Sequence, residues 1–142
     1  VFKSASNQRS VVHAVSRLDQ ARYGAEPVLY QQRVQGDNVR VHVFQGHCEA
    51  VRIEAVSVDY RYCADAVFRV CTLPKQIEQA CVKLTHQLGL VLSGIDLIES
   101  DQGWTILEVN TAPGFDYFER RTGQRRLSRA LVRYFSDCID LG

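Results

Sequence analysis

The stretch that most constrains this chain is residues 91–110, which read VLSGIDLIESDQGWTILEVN. Two apolar runs, 91–99 and 104–109, stand on either side of Asp101-Gln102-Gly103. Polar residues followed by glycine between two apolar runs are typical of a tight turn between antiparallel strands. The stretch therefore predicts a β-hairpin.

Three side chains with oxygen donors lie on this hairpin. Glu108 and Asn110 are two positions apart on the second strand, so their side chains leave the same face. If the turn centres on Gln102, Asp96 lies directly opposite Glu108, with Cβ atoms roughly 5 Å apart. The hairpin is therefore expected to bring Asp96, Glu108 and Asn110 together on one patch of the sheet.

The two carboxylates of this patch predict a metal site. Facing like charges repel each other, and a divalent cation removes that penalty. Magnesium takes a few carboxylate oxygens and completes its shell with water and phosphate. Asp96 and Glu108 also stand inside apolar runs, where an unpaired buried charge is costly. The alternative is a solvent-facing hairpin whose acids simply stay hydrated.

Further strands are expected on the N-terminal side of the hairpin. Between 39 and 44 apolar and polar residues alternate, so Val39, Val41 and Val43 face one way and Arg40 and His42 the other. Strands are predicted over 1–4, 28–34, 39–44 and 50–58.

Two helices complete the expected fold. Pro74 opens the first, which ends near Gly89. The second runs from about residue 124 to residue 139, with four apolar residues on one stripe, Leu127, Leu131, Phe135 and Ile139. Strands, a helix, a hairpin and a final helix, in this order, predict an α+β fold with an antiparallel sheet.

Composition narrows the classes of protein. With 142 residues, 46% of them hydrophobic and 23% charged, the chain suits one domain, or one domain of two small lobes. A net charge of +1 gives no bulk reason to expect nucleic acid. No run approaches the roughly 20 apolar residues that span a membrane, and the start lacks the order of a signal peptide. We therefore expect neither nucleic acid nor a membrane as partner.

The cysteines and the first residues add two expectations. The five cysteines are an odd number without C-x-x-C spacing, which favours free thiols and a cytoplasmic location. They are Cys48, Cys63, Cys71, Cys81 and Cys138. The chain lacks methionine and opens on Val1-Phe2-Lys3, which reads like the inside of a strand. We expect it to be a piece of a longer protein with a further N-terminal region.

Arginine is concentrated toward the C-terminus. The positions are Arg120, Arg121, Arg125, Arg126, Arg129 and Arg133. A solvated helix face is the plain interpretation of such a run.

A family resemblance emerges from the hairpin and the residues after it. Gly94-Ile95-Asp96-Leu97-Ile98, followed by Leu107-Glu108-Val109-Asn110-Thr111-Ala112-Pro113-Gly114-Phe115, resembles the ATP-grasp metal signature. It is closest to the branch typified by the ribosomal-protein glutamate ligase RimK. The resemblance implies an antiparallel sheet core flanked by helices. It further implies a partial lid lobe at 1–30 and the C-terminal lobe with the metal site at 31–142.

The resemblance also implies the nucleotide contacts. Lys3 corresponds to a lysine that contacts the α- and β-phosphates, and Asn38 to a position that meets the ribose hydroxyls. The hinge that packs the adenine ring corresponds to Gln31, Gln32, Arg33 and Val34. Asp96, Glu108 and Asn110 correspond to the residues that bind the magnesium ions bridging the phosphates.

Two departures from the family keep an alternative open. Residues 4–10 contain no glycine, whereas the family's loop is usually glycine-rich so that backbone N–H groups approach phosphate. The side chains of Ser6, Arg9 and Ser10 could supply contacts instead. The hinge carries glutamines where the family often has a glutamate. The alternative is a catalytically inactive ATP-grasp module that binds nucleotide for regulation.

The reaction implied by the resemblance is ligation. ATP and Mg²⁺, with Mn²⁺ as an alternative metal, would drive formation of an amide or peptide-like bond through an acyl phosphate. Arg61 is the first candidate to hold that intermediate and Arg40 the second, because a guanidinium matches phosphate geometry. A surface ion pair is the alternative for each. The partners would be ATP, a carboxylate and an amine, amino acids and peptides among them, and an oligomer is compatible.

Overall fold

The computed structural model describes residues 1–4, 12, 27–56 and 60–140. The chain divides into two compact units. One comprises Val1–Gln35 and Glu54–Val67, and the other comprises Gly36–Ile53 and Phe68–Gly142.

The first unit contains a small antiparallel pair of strands. β1 (Phe2–Ser4) pairs with β2 (Val28–Tyr30), with Lys3 opposite Leu29. The pairing continues by one residue, because the backbones of Val1 and Gln31 exchange two hydrogen bonds of 2.9 Å. A single 3-10 turn lies at Tyr60–Tyr62.

The second unit is built on a five-stranded antiparallel sheet in the order β5-β4-β3-β6-β7. The strands are β3 (Asp37–Phe44), β4 (His47–Glu54), β5 (Val67–Cys71), β6 (Leu92–Ser100) and β7 (Gly103–Asn110). β3 lies in the middle. Its valines, and Ile95 and Leu97 of β6, are buried in the core on one face of the sheet.

Three helices accompany the sheet, α1 (Lys75–Gln87), α2 (Asp116–Thr122) and α3 (Arg126–Asp140). The main core forms between one sheet face and α1, where Val41, Ile95 and Leu97 cluster with Cys81. On the opposite face, Phe118 of α2 contacts His42 of β3, and Tyr134 of α3 contacts Phe44.

The predicted fold class is confirmed, and with it the hairpin and both long helices. The strand predicted over 28–34 ends at Tyr30, and the one predicted over 50–58 runs over His47–Glu54. Two elements escaped prediction. β5 is a mostly exposed edge strand of five residues, and α2 has only two helical turns, so neither carries a clear apolar period.

The predicted apolar stripe of the last helix is wrong over its second half. Leu127 is buried and Leu131 half-buried, but Phe135 is 58% exposed and Ile139 77% exposed. Residues four apart advance by about 40° around a helix of 3.6 residues per turn. A series of residues spaced four apart therefore moves around the helix. It begins at Leu127 on the core side and reaches the surface at Phe135 and Ile139.

Several sequence predictions lie outside the described residues, those for Ser6, Arg9 and Ser10 among them. All five cysteines are described, and all are free thiols. Within the described residues, no helix is long and apolar enough to cross a membrane.

Candidate functional site

The sheet places five of the predicted residues on one face, Asn38 and four that lie in two neighbouring rows. Arg40 of β3 pairs with Asp96 of β6, and Asp96 pairs with Glu108 of β7, so one row runs across three strands. In the next row, His42 pairs with Gly94 and Gly94 pairs with Asn110. Arg40, Asp96, Glu108 and Asn110 therefore lie together.

The cross-strand pairing of Asp96 with Glu108 was predicted, and it is confirmed for a different reason. The turn does not centre on Gln102; Ser100 pairs with Gly103 across a two-residue turn. Leu97 pairs with Ile106 while Asp96 pairs with Glu108, so Leu107 is the extra residue of a β-bulge. The extra residue shifts the pairing by one position, so that Glu108, not Leu107, lies opposite Asp96 and on the same face.

Asp96 is held by two donors on that face. Nη1 of Arg40 donates to Oδ2 of Asp96 at 2.7 Å, a charge-assisted hydrogen bond. Nδ2 of Asn110 donates to the same oxygen at 3.3 Å, a longer and weaker contact. Asn110 is thus oriented toward the carboxylate with which it is predicted to share a metal ion.

Arg40 is buried, with only 6% of its surface exposed. Its guanidinium lies over the ring of Phe118, 5.4 Å from the ring centre, which is a favourable cation–π geometry. A Cβ at Gly94 would lie 2.5 Å from Nη2 of Arg40 and 2.6 Å from Cβ of Pro113. Glycine at position 94 therefore makes room for the guanidinium and for the turn after β7.

His42 is a buried neighbour of Arg40 to which sequence reasoning gave no role. It is 3% exposed and packs edge-on against Phe118, with ring centres 5.2 Å apart. Burial lowers the pKa of His42 to about 4, and the charge of Arg40 acts in the same direction, against a backbone hydrogen bond at Gly114. The neutral ring can then accept from Nε of Arg40, at 3.5 Å.

The residues of this row suit magnesium by their chemistry. They offer two carboxylates and one amide, which are hard oxygen donors, beside an open face that phosphate and water can reach. Over residues 1–4, 12, 27–56 and 60–140, no group of three His, Cys, Asp or Glu side chains could hold a metal by itself. A metal ion on Asp96, Glu108 and Asn110 would therefore need phosphate and water as its remaining ligands.

The other predicted residues are spread over both units. Asn38 lies on β3 two positions before Arg40, half-buried. Lys3 is on β1, and Arg61 is in the turn at Tyr60–Tyr62, both in the first unit. The hinge positions follow β2: Gln31, Gln32 and Arg33 are exposed and Val34 half-buried.

Part of the backbone of the hinge (residues 31–34) already forms hydrogen bonds within the protein. Both the N–H and the C=O of Gln31 are paired with Val1. Reading of an adenine edge by backbone groups would therefore fall to Gln32, Arg33 or Val34.

A cleft continues from His42 toward β4 and α2. Its polar lining includes Glu49, Glu119 and Arg126. Burial raises the pKa of Glu49, and the charge of Arg126 opposes this shift. Glu119 is buried and accepts from the backbone N–H of Ser128 at 3.0 Å, so it anchors the start of α3.

Comparisons with known proteins point to one family. The family model of a RimK-like ATP-grasp domain matches residues 9–134. A "Probable alpha-L-glutamate ligase" of Histophilus somni is 31% identical over 132 residues, which cover 84% of this chain and 41% of the relative. A "Tetrahydromethanopterin:alpha-L-glutamate ligase" of Methanocaldococcus jannaschii is 32% identical over 90 residues, 63% of this chain and 24% of that protein.

Solved structures give the same fold. The ATP-grasp ligase PsnB, complexed with minimal precursor, Mg and ADP, is 26% identical with a TM-score of 0.65, covering 86% of this chain and 41% of that one. D-alanine–D-alanine ligase of Bacillus anthracis, complexed with ATP, shares the fold at 21% identity and a TM-score of 0.50, covering 62% of this chain and 33% of that one. The chain spans about two fifths of the length of the first curated relative, 41%.

Proposed function

The chain belongs to the RimK-like ATP-grasp family, and from this premise we propose that it is part of an ATP- and Mg²⁺-dependent carboxylate–amine ligase. The γ-phosphoryl group of ATP would pass to a carboxylate, giving an acyl phosphate and ADP. An amine would then attack the acyl carbon, so that a C–N bond forms, the bond to phosphate breaks and the amine loses a proton.

The observation that carries this proposal is the row of side chains across β3, β6 and β7. Arg40, Asp96 and Glu108 follow one another across the strands, with Asn110 on the same face. Such a row combines metal ligands with a fixed cation, the two features that phosphoryl transfer needs for positioning and charge neutralisation.

Asp96, Glu108 and Asn110 are the residues that would hold magnesium. When bound, the ion neutralises phosphate oxygens and so favours transfer of the phosphoryl group. Asp96 has a second task, because its carboxylate anchors the guanidinium of Arg40 at 2.7 Å.

Arg40 would stabilise the acyl phosphate. Burial, the ring of Phe118 and the ion pair to Asp96 hold its guanidinium in place, so little reorganisation is needed during the reaction. Neutral His42 adds no competing positive charge beside it. Arg61 is proposed as a second contact to the same intermediate.

The nucleotide contacts are proposed on family grounds. Lys3 would contact the phosphates, residues 31–34 the adenine and Asn38 the ribose. Since two relatives are named as α-L-glutamate ligases, we take L-glutamate as the first amine to test. A peptide is the first carboxylate, because PsnB is complexed with a precursor peptide.

The test measures ADP release by the complete protein with ATP, Mg²⁺, L-glutamate and a carboxylate-bearing peptide, with Mn²⁺ in a parallel series. Glu108→Gln should lower turnover at least about 100-fold, as loss of a group that stabilises transition-state charge does. Glu108 is the cleaner position because it is exposed, so the substitution should leave the fold intact. Asp96→Asn should have a similar effect, with some loss of stability because Arg40 loses its counterion.

The matched control is Asp101→Asn, the same chemical change at an exposed position in the turn of the same hairpin. Its turnover should equal that of the unmodified protein. Unchanged ADP release in Glu108→Gln would reject the metal assignment. ATP binding without ADP formation, across a panel of acids and amines, would favour the regulatory module instead.

A further inference from the structure

The outer face of α3 carries two parallel stripes. The basic stripe consists of Arg125, Arg129 and Arg133. The apolar stripe consists of Val132, Phe135 and Ile139, whose exposed fractions are 65%, 58% and 77%. At about 100° per residue the two stripes lie side by side: Arg125, Arg129 and Val132 are opposite Leu127, which is buried, and Phe135 is on the flank of the helix.

The arginines of the basic stripe differ from others in the chain. Among the residues that the structure describes, none of the three forms an ion pair or a side-chain hydrogen bond, although all are exposed. Elsewhere Arg120 pairs with Asp116 at 2.7 Å, and Arg121 stacks on Phe68. The basic stripe therefore presents unneutralised charge.

This charge distribution disfavours the helix that carries it. Cations are unfavourable near a helix N-terminus, yet the first turn of α3 has no acidic residue and the last turn no basic one. Arg125 caps the helix, its carbonyl accepting from the N–H of Arg129 at 3.2 Å. Like charges four residues apart also repel. Helix stability does not explain the basic stripe.

We propose that this face of α3 docks an acidic, amphipathic peptide segment of a partner protein. Arg125, Ser128, Arg129, Val132 and Arg133 lie together on an open surface of the helix. The arginines recur about every 6 Å along the axis, the spacing of carboxylates four residues apart on a helical partner. Apolar residues of that partner would cover the apolar stripe.

The charges around the two stripes favour a peptide over other anionic partners. An anionic lipid surface would be repelled by Asp137, which is exposed beside the end of the helix. Nucleic acid is disfavoured because the chain has a net charge of only +1. Asp137 is four residues after Arg133 and so lies next to the basic stripe. An acidic peptide can place single carboxylates on the three arginines and a neutral residue beside Asp137, with its apolar side chains on the apolar stripe, whereas a lipid surface carries its charge over all four positions.

The experiment uses the complete protein and a fluorescent synthetic helix of about 15 residues with glutamates four apart beside leucines. Binding is followed by anisotropy at low and high salt. The triple variant Arg125→Gln/Arg129→Gln/Arg133→Gln should bind at least about ten-fold more weakly and lose most of the salt dependence. Phe135→Ser should weaken binding without changing the salt dependence.

The matched control removes three exposed positive charges elsewhere, through Lys75→Gln/Lys83→Gln/Arg120→Gln. It should bind like the unmodified protein. The proposal would be overturned if both triple variants bound the peptide equally well. It would also be overturned if the protein bound phosphatidylserine vesicles or DNA more tightly than the peptide, or if replacing the glutamates of the peptide with glutamine did not weaken binding.

A stability measurement guards against an indirect effect. Because the basic stripe disfavours α3, its triple variant should melt at the same or a higher temperature than the unmodified protein. A lower melting temperature together with weaker binding would assign the arginines to folding, and would also overturn the proposal. ADP release should not change, since these arginines lie outside the proposed catalytic row.

Discussion

At the scale of single residues, burial changes the meaning of Arg40 and His42. The alternation of apolar and polar residues along β3 predicts that both lie on a polar face, which in an isolated strand would be exposed to water. In the structure α2 covers that face, so that Arg40 and His42 are 6% and 3% exposed. The ion pair expected as the plain alternative for Arg40 does exist, but it joins Arg40 to a proposed metal ligand. Ion pair and catalytic role are therefore compatible.

His42 predicts a pH dependence of stability. The pKa of His42 is lowered from 6.5 to about 4 in the folded chain. Between these values the unfolded chain binds a proton that the folded chain does not, so stability falls as the pH falls from 6.5 toward 4. The full effect is about 3 kcal/mol.

Urea unfolding at neutral pH and near pH 4 measures this dependence. His42→Gln should lose most of it, whatever its stability at neutral pH. The matched control is His86, which is exposed. In His86→Gln the free energy of unfolding should depend on pH as it does in the unmodified protein. If the free energy of unfolding of His42→Gln depended on pH as strongly as that of the unmodified protein, other groups would be the cause of the acid sensitivity.

At the scale of elements, the bulge in β7 determines which side chains face the site. Thr105 shares the face of Asp96, and regular alternation from there would put Leu107, not Glu108, opposite Asp96. The extra residue reverses the alternation, so that Glu108 and Asn110 join the site while Val109 turns to the core.

Two single deletions test the bulge. Removing Leu107 leaves a regular ladder in which Glu108 still faces Asp96, so Mg²⁺-dependent ADP release by the complete protein should survive. Removing Val109 instead turns Asn110 away from the site, and release should fall by about 100-fold. Equal loss in both deletions, with both proteins folded by circular dichroism, would argue against the role given to the bulge.

At the scale of the whole molecule, each of the two units carries its own set of proposed site residues. Lys3, Gln31–34 and Arg61 belong to the first unit, and Asn38 with the metal row belongs to the second. The described residues account for the metal end of the site in most detail. The contacts proposed for Lys3, residues 31–34 and Asn38 rest on the resemblance to the family.

This division predicts two separable effects on ligand-induced stabilisation. In the complete protein, ATP with Mg²⁺ at about 100 times its dissociation constant should add about 2.7 kcal/mol, a shift of several degrees in melting temperature. Asp96→Asn should remove only the part that requires Mg²⁺. Lys3→Gln should reduce the shift in melting temperature both with and without Mg²⁺. If thermal-shift measurements showed the Mg²⁺-dependent loss in Lys3→Gln and the Mg²⁺-independent loss in Asp96→Asn, the assignment of the two residues would be contradicted.

The sequence by itself determined the features that depend on local periodicity and composition. These are the hairpin, the α+β class, the antiparallel sheet and the shared face of Glu108 and Asn110, because side chains two positions apart on a strand leave the same face.

The tertiary structure decided the rest, because burial and register depend on residues far apart in the chain. It inserted Leu107 as a bulge and covered Arg40 and His42 with Phe118. It also turned Phe135 and Ile139 outward, since packing against the sheet selects which face of α3 is buried.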